Sequence, residues 1–166
     1  MNILVCVKIS GGELSPFDAC AVEAALRIAA QQPEAGRITV VSMGPPTAKG
    51  ALEKLTRLGA EAVLLSDAAF AGADTLATAY ALSMAARQLG PDLILCGRQS
   101  LDGDTAQTGP CLAALLGLPV LTDVLSLQVS GGAARCVTRL GEEEAALPAV
   151  VTVERFLSLR RPHIGA

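Results

Sequence analysis

The sequence predicts an α/β protein with an open, mostly parallel sheet, and two observations carry that prediction. Short apolar runs alternate with helix-like segments up to about residue 122, and this alternation is typical of a parallel sheet covered by helices on both faces. Beyond Asp123 two runs of alternating polar and apolar residues flank Ser130-Gly131-Gly132, which indicates an antiparallel hairpin at a sheet edge.

Length and composition bound the class of protein. A chain of 166 residues predicts one domain, over 1–166, with a substantial core. Only 2% of residues are aromatic, so that alanine, leucine and valine must fill that core. The net charge of −3 gives no reason to expect a nucleic-acid partner. Five cysteines without a CxxC pair, no signal-peptide pattern and no membrane-length apolar run predict a soluble cytoplasmic protein.

The first half of the chain contains three strand–helix units. Residues 3–7 form a continuous apolar run, as expected for a central parallel strand. Ser15 and Pro16 are typical of a helix start, with Asp18 as an early acid and Pro33 as the stop. The other elements predicted here are a second strand over 37–43, a helix over about 47–58, a third strand over 62–66 and a helix from Asp74 to Gln88.

The second half begins in the same rhythm and then changes. The predicted elements are a fourth strand over 93–96, a polar loop over 97–109, a short helix over 110–116, a fifth strand over 120–122, hairpin strands over 125–129 and 135–140, a solvated loop at Glu142-Glu143-Glu144 and a final strand over 149–153. Cys6 and Cys96 fall in apolar strands, where a small buried thiol is expected.

The polar loop over 97–109 is the candidate anion site. A buried strand, a glycine-containing loop and a helix start present backbone N–H groups and the positive end of the helix dipole to an anion. Gln107, Thr108 and Gly109 would offer N–H groups, an amide and a hydroxyl to a phosphate. The spacing matches neither GxxxxGKS nor GxGxxG. Asp102 and Asp104 therefore leave two alternatives open, turn and cap hydrogen bonds or a magnesium site with few ligands.

Two further loops are expected beside this one. In a parallel sheet, ligands bind beyond the carboxyl ends of the strands at the switch point between the two halves. Lys8, after the first strand, either neutralises a phosphate or is a solvated lysine. Gly44, after Met43 at the end of the second strand, either lets a flat base approach the backbone or is a turn glycine before Pro45.

No catalytic set emerges from the sequence. His163 is the only histidine and lies beside a proline near the C-terminus. Without a second histidine or a Cys–His cluster, neither a metal centre nor a Ser-His-Asp arrangement is supported. Arg98 is either a phosphate or flavin contact or a surface ion-pair partner.

Seven segments carry a resemblance to a known family. They are ILVCVK (3–8), SPFDACAVEAA (15–25), VSMG (41–44), GAEAVLLS (59–66), DAAFAGADTLATA (67–79), DLILCGRQSLDGDTAQTG (92–109) and LPAVVTV (147–153). In this order they resemble the β subunit of electron transfer flavoprotein.

The resemblance implies a fold and a ligand. The fold would be a three-layer, adenine nucleotide hydrolase-like domain with sheet order 3-2-1-4-5, and the ligand would be AMP or FAD. The residues that match the family's nucleotide contacts are Cys6, Lys8, Met43, Gly44, Gly97, Gln99, Asp104, Gln107, Thr108 and Gly109.

The resemblance also implies a role and partners. The chain would be an electron carrier that works with an α subunit carrying the redox FAD and accepts electrons from a flavin-dependent dehydrogenase. Two departures stand out: only residues 9–14 replace the family's extended hairpin, and the long C-terminal arm is missing. A homodimer in isolation is therefore also expected. The alternative function is a nucleotide-binding sensor or scaffold without electron transfer, and an enzyme acting on an adenylate is disfavoured because no nucleophile or base is set up.

Overall fold

The computed structural model describes residues 1–10, 12–32, 36–43, 46–65, 75–97 and 108–155. It confirms the predicted α/β class: a parallel sheet with helices on both faces and a smaller antiparallel sheet. In chain order the elements are β1 (Asn2–Val7), β2 (Ile9–Ser10), β3 (Glu13–Leu14), α1 (Pro16–Gln31), β4 (Arg37–Met43), α2 (Lys49–Thr56), β5 (Glu61–Leu65), α3 (Thr75–Leu89), β6 (Leu93–Gly97), α4 (Thr108–Leu116), β7 (Val120–Val124), β8 (Ser126–Ser130), β9 (Ala133–Thr138), β10 (Gly141–Ala146) and β11 (Ala149–Val153).

The parallel sheet has six strands in the order β5-β4-β1-β6-β11-β7. The predicted 3-2-1-4 neighbours are therefore present, and the final strand β11 lies between the fourth strand β6 and the fifth strand β7. Every residue of β11 is buried, whereas Thr122 and Asp123 of β7 are exposed. A continuously apolar strand gains more from an interior position, which leaves the more polar β7 at the edge.

The antiparallel part is larger than the predicted hairpin. β8, β9 and β10 form a three-stranded sheet in the order β10-β9-β8, and the Leu125 N–H donates to the Val137 carbonyl oxygen at 2.7 Å. The interpretation of Glu142-Glu143-Glu144 as a solvated loop is wrong, because these residues belong to β10 and pair with β9. Their side chains are exposed, so that the strand pairs through its backbone while the carboxylates stay in water.

The alternation of side chains along β1 divides the core between the two faces of the sheet. Ile3, Val5 and Val7 pack with α1 and α2 on one face, and Leu4 and Cys6 pack with α3 and α4 on the other. The chain thus leaves β1 toward one face and leaves β6 toward the opposite face. The adjacent carboxyl ends of β1 and β6 are the switch point, where such folds bind ligands.

The start of α1 is formed as predicted. Ser15 is the N-cap, its Oγ accepts the Asp18 N–H at 3.1 Å, and Pro16 is the first helical residue. Within the described ranges, no helix combines the length and apolarity that crossing a membrane requires.

The two-sided core makes a testable prediction about stability. Leu95 lies on the central strand β6 and is fully buried, so that Leu95→Ala should leave a cavity and lower the free energy of unfolding by about 2–5 kcal/mol. Leu140→Ala is the control, because Leu140 is 94% exposed and its loss should cost no more than about 0.5 kcal/mol. Urea denaturation of both variants measures the difference, and equal losses would contradict the assignment of the core.

Candidate functional site

Two buried thiols lie at the switch point, near the carboxyl ends of β1 and β6. Cys6 of β1 and Cys96 of β6 are direct partners in the parallel pairing, and both are buried. The hydrogen bond between the two thiols and the burial of Cys96 raise the pKa of Cys96 well above its ordinary value. The buried thiols that the sequence predicts are therefore present, and Cys96 is held in its neutral form.

One wall of the crevice is the start of α1, and it contains a buried carboxylate. Asp18 is 5% exposed, and its Oδ2 accepts the Lys8 N–H from the end of β1 at 2.9 Å. The Gly97 N–H at the end of β6 donates to the same carboxylate. Burial raises the pKa of Asp18 from 3.8 to about 6, although hydrogen bonds from Lys8, Ser15 and Gly97 and the charge of Lys8 oppose the shift.

Gly97 brings this wall close to the sheet. A Cβ at Gly97 would lie 2.8 Å from both the Asp18 nitrogen and the Phe17 carbonyl carbon, and it would also contact Asp18 Oδ1. Backbone atoms cannot move aside as a flexible side chain can. The absence of a side chain at Gly97 therefore allows α1 to pack directly against the end of β6.

The opposite wall is the first turn of α4. A Cβ at Gly109 would contact Thr152 Cγ2 and would lie 4.0 Å from Cys96 Cβ, which places this turn over β6 and β11. Thr152 is the partner of Cys96 in the sheet, and its Oγ1 accepts the Asp123 N–H at 2.9 Å. Asp123 has a φ of 56°, a left-handed conformation that aspartate tolerates better than most residues.

Thr108 lies in the same first turn of α4 and has a buried hydroxyl group. The residue is 9% exposed, and its Oγ1 has no hydrogen-bond partner among the described residues. A buried hydroxyl without a partner costs about 1–3 kcal/mol, and the N–H groups of a first helical turn also lack partners within the helix. Among the described residues, nothing accepts a hydrogen bond from the Thr108 hydroxyl at the start of α4, whereas the start of α1 holds the carboxylate of Asp18.

The structure brings several predicted site residues to one edge of the sheet. The N–H groups of Lys8 and Gly97 both donate to Asp18. Cys6 pairs with Cys96, which lies close to the first turn of α4, the turn that contains Thr108 and Gly109. Met43 ends β4, next to β1. Four predicted contacts lie outside the described residues: Gly44, Gln99, Asp104 and Gln107.

Sequence reasoning missed the roles of Asp18 and Thr152. The sequence identifies Asp18 as an early helical acid, but its contacts with Lys8 and Gly97 depend on how α1 packs across two strands. Thr152 sits inside an apolar strand without any local signal. Among the residues that the structure describes, no cluster of three or more histidine, cysteine, aspartate or glutamate side chains could hold a metal ion.

The family model of the electron transfer flavoprotein domain matches residues 3–157. The chain belongs to the electron transfer flavoprotein family. This electron transfer flavoprotein domain is 48% identical over 120 residues to Protein FixA of Azorhizobium caulinodans, a match that covers 69% of the chain and 42% of FixA.

Two electron transfer flavoprotein β subunits are also similar to this domain. The subunit of Thermoanaerobacterium thermosaccharolyticum is 48% identical over 119 residues, which cover 71% of the chain and 45% of the subunit. The subunit of Megasphaera elsdenii is 41% identical over 191 residues, which cover 95% of the chain and 70% of the subunit. The chain thus spans less than half the length of the first two relatives.

Among solved structures, glycinamide ribonucleotide transformylase 1 from Symbiobacterium toebii matches with a TM-score of 0.40 at 25% identity. The match covers 64% of the chain and 46% of the transformylase, and its TM-score is too low to bear on function.

The close contact between α4 and β11 predicts that substitutions at Gly109 and Thr152 have non-additive effects on the stability of this electron transfer flavoprotein domain. Gly109→Ala should lower the free energy of unfolding by about 1–3 kcal/mol, because the new methyl group meets Thr152 Cγ2. Thr152→Ser removes that methyl group and keeps the oxygen that accepts the Asp123 N–H. In the Thr152→Ser background, Gly109→Ala should therefore be nearly neutral, giving a coupling of at least about 1 kcal/mol in urea denaturation.

Gly50→Ala is the matched control for this cycle. Gly50 lies in α2, where an added Cβ would meet no heavy atom within 4 Å, so that alanine there should stabilise the helix by up to about 1 kcal/mol. Additive effects of Gly109→Ala and Thr152→Ser would contradict the close approach.

The buried carboxyl of Asp18 predicts a pH dependence of stability. Its folded pKa of about 6 lies above the ordinary value of 3.8, so that its contribution to stability is fully present below about pH 4 and is lost as the pH rises through 6. The loss is at most about 3 kcal/mol. Asp18→Asn should flatten this part of the profile in urea denaturation between pH 4 and 7.5. Asp92→Asn is the control, because Asp92 is exposed at the amino end of β6, and this variant should keep the pH dependence. Identical profiles for the wild type and Asp18→Asn would contradict the prediction.

Proposed function

We propose that the chain is an electron transfer flavoprotein β-type subunit that binds an adenine nucleotide, AMP or FAD, in the crevice between β1 and β6. The observation that carries the proposal is the buried Thr108 hydroxyl, which lacks a partner among the described residues at the start of α4. A phosphate oxygen there would accept hydrogen bonds from the hydroxyl and from the N–H groups of the first turn.

The surrounding residues suit an adenylate. Lys8, exposed at the end of β1, adds positive charge at the edge of the crevice, and the raised pKa of Cys96 keeps that thiol from adding negative charge there. Gly97 and Gly109 keep the two walls close to the sheet. Met43, at the end of β4, would contact the base, together with the contacts that the family pattern assigns to Gly44, Gln99, Asp104 and Gln107.

The role in electron transfer rests on the relatives. The family match and the names of the similar proteins support a β-type subunit, whose partner would be an α-type subunit that carries the redox FAD. Electrons would come from a flavin-dependent dehydrogenase. FAD supplies one- and two-electron redox chemistry when bound, and this chain's residues would hold its adenylate end. All five cysteines lie in described ranges and are thiols, which supports a cytoplasmic location.

Thr108 provides the test of nucleotide binding. Thr108→Val keeps the shape of the side chain and removes the hydroxyl, so that affinity for AMP or FAD in isothermal titration calorimetry should fall roughly tenfold, as expected for the loss of one hydrogen bond to a charged group. Thr39→Val is the matched control, because Thr39 is another buried threonine and lies in the amino half of β4, away from the crevice. Equal affinity of Thr108→Val and wild type would remove Thr108 from the site.

The purified protein distinguishes the ligands and the two functions. A yellow protein with a flavin spectrum supports FAD, and a colourless protein that releases AMP on denaturation supports AMP. If neither is present and AMP, ADP and FAD all fail to raise the melting temperature, the nucleotide proposal is wrong. Nucleotide binding without reduction of an added α-type subunit by a dehydrogenase would favour the sensor or scaffold instead.

A further inference from the structure

The two helix starts that border the crevice differ in what they hold. At the start of α4 the buried Thr108 hydroxyl has no partner among the described residues, whereas the start of α1 holds the carboxylate of Asp18. This carboxylate accepts hydrogen bonds from the N–H groups of Lys8 and Gly97, which lie at the ends of the two strands that border the crevice. Asp18 therefore ties β1, β6 and α1 together at the place where the proposed ligand binds.

The charges around Asp18 come from several elements. Lys8 at the end of β1 attracts the ionised carboxylate, and Ser15, the N-cap of α1, donates a hydrogen bond to it. On the sheet side, the thiols of Cys6 and Cys96 face each other, and the charge of Asp18 contributes to the raised pKa of Cys96. Glu154 follows β11, and its carbonyl oxygen accepts a hydrogen bond from the Cys20 thiol of α1 at 3.1 Å.

The remaining charges on α1 lie further along the helix. Glu23 forms an ion pair with Arg27 at 2.9 Å, more than one turn beyond Asp18. Among the described residues, Lys8 is thus the cation that acts on Asp18 through its charge.

We propose that Asp18 is a positioning residue of the nucleotide site and that binding of a nucleotide phosphate at the start of α4 is coupled to proton uptake by the Asp18 carboxyl. The inference rests on the proposed function, because it needs an anion at α4. An anion near the start of α4 and an ionised Asp18 carry like charges on opposite walls of one crevice, and protonation of Asp18 removes the repulsion.

The expected size of the coupling follows from Coulomb's law. Two like charges about 10 Å apart, roughly two strand spacings, repel enough at an effective dielectric constant of about 20 to change a binding constant roughly tenfold. Affinity should therefore rise about three- to tenfold as the pH falls from 8 to 5. Near pH 6.5 binding should take up roughly half a proton per site.

ADP-ribose is the probe for this experiment. It contains the adenylate part that AMP and FAD share, and each phosphate of its pyrophosphate keeps only a strongly acidic group that does not titrate in this range, unlike a terminal phosphate with a second pKa near 6. Isothermal titration calorimetry of the whole chain in two buffers with different ionisation enthalpies measures the protons taken up. The affinity is measured between pH 5 and 8 in the same series.

Two variants assign the proton. Asp18→Asn keeps one acceptor for the strand-end N–H groups but cannot ionise, so that proton uptake and the pH dependence of affinity should both disappear. His163→Gln removes the only histidine, the residue type whose unperturbed pKa falls between pH 5 and 8, and it should keep both effects. If Asp18→Asn does not fold, proton uptake by wild type that is unchanged in His163→Gln still supports the inference.

Two results would overturn it, and they are distinguishable. Binding of ADP-ribose without proton uptake, or with equal uptake by Asp18→Asn, would remove the coupling and leave the proposed function intact. No binding of ADP-ribose at any pH would overturn the coupling, and failure of AMP and FAD to bind as well would overturn the proposed function.

Discussion

The parallel pairing of β1 with β6 is the contact on which the candidate site depends. It sets Cys6 opposite Cys96, and the chain leaves the two strands toward opposite faces of the sheet. The crevice between the two carboxyl ends is therefore bordered by the start of a helix on each side. A shift of one residue in either strand would turn its thiol to the other face, so that the register determines which side chains lie at the switch point.

The starts of α1 and α4 differ in the polar groups that they hold. Both present N–H groups and a positive dipole end to the crevice. At α1 the protein supplies its own anion, and Asp18 joins the ends of both strands. At α4 the buried hydroxyl of Thr108 lacks a partner among the described residues, and Gly109 brings the turn close to Thr152. The start of α1 thus holds the two strand ends together, and the start of α4 is where we propose that the ligand binds.

Family membership and geometry support each other at this edge of the sheet. The electron transfer flavoprotein domain matches almost the entire chain, and the relatives are β subunits and FixA. Independently of any relative, the fold brings Lys8, Gly97 and Thr108 to the switch point. The nucleotide and the electron partners belong to the proposal, which is why its tests measure ligand binding and electron transfer separately.

The sequence by itself determined the order of the strands and helices of the parallel sheet and the places of Lys8, Gly97 and Thr108 near strand or helix ends, because apolar runs, caps and glycines act within a few neighbouring residues. The predicted loop over 97–109 is too long at both ends, since Gly97 belongs to β6 and Thr108 and Gly109 belong to α4. Only the tertiary structure decided that β11 inserts beside β6, that Glu142–Glu144 form a strand, and that Asp18 and Thr152 border the crevice. Each of these depends on a partner that is distant in the chain. Local patterns carry no information about which distant backbone group or methyl group a side chain will meet.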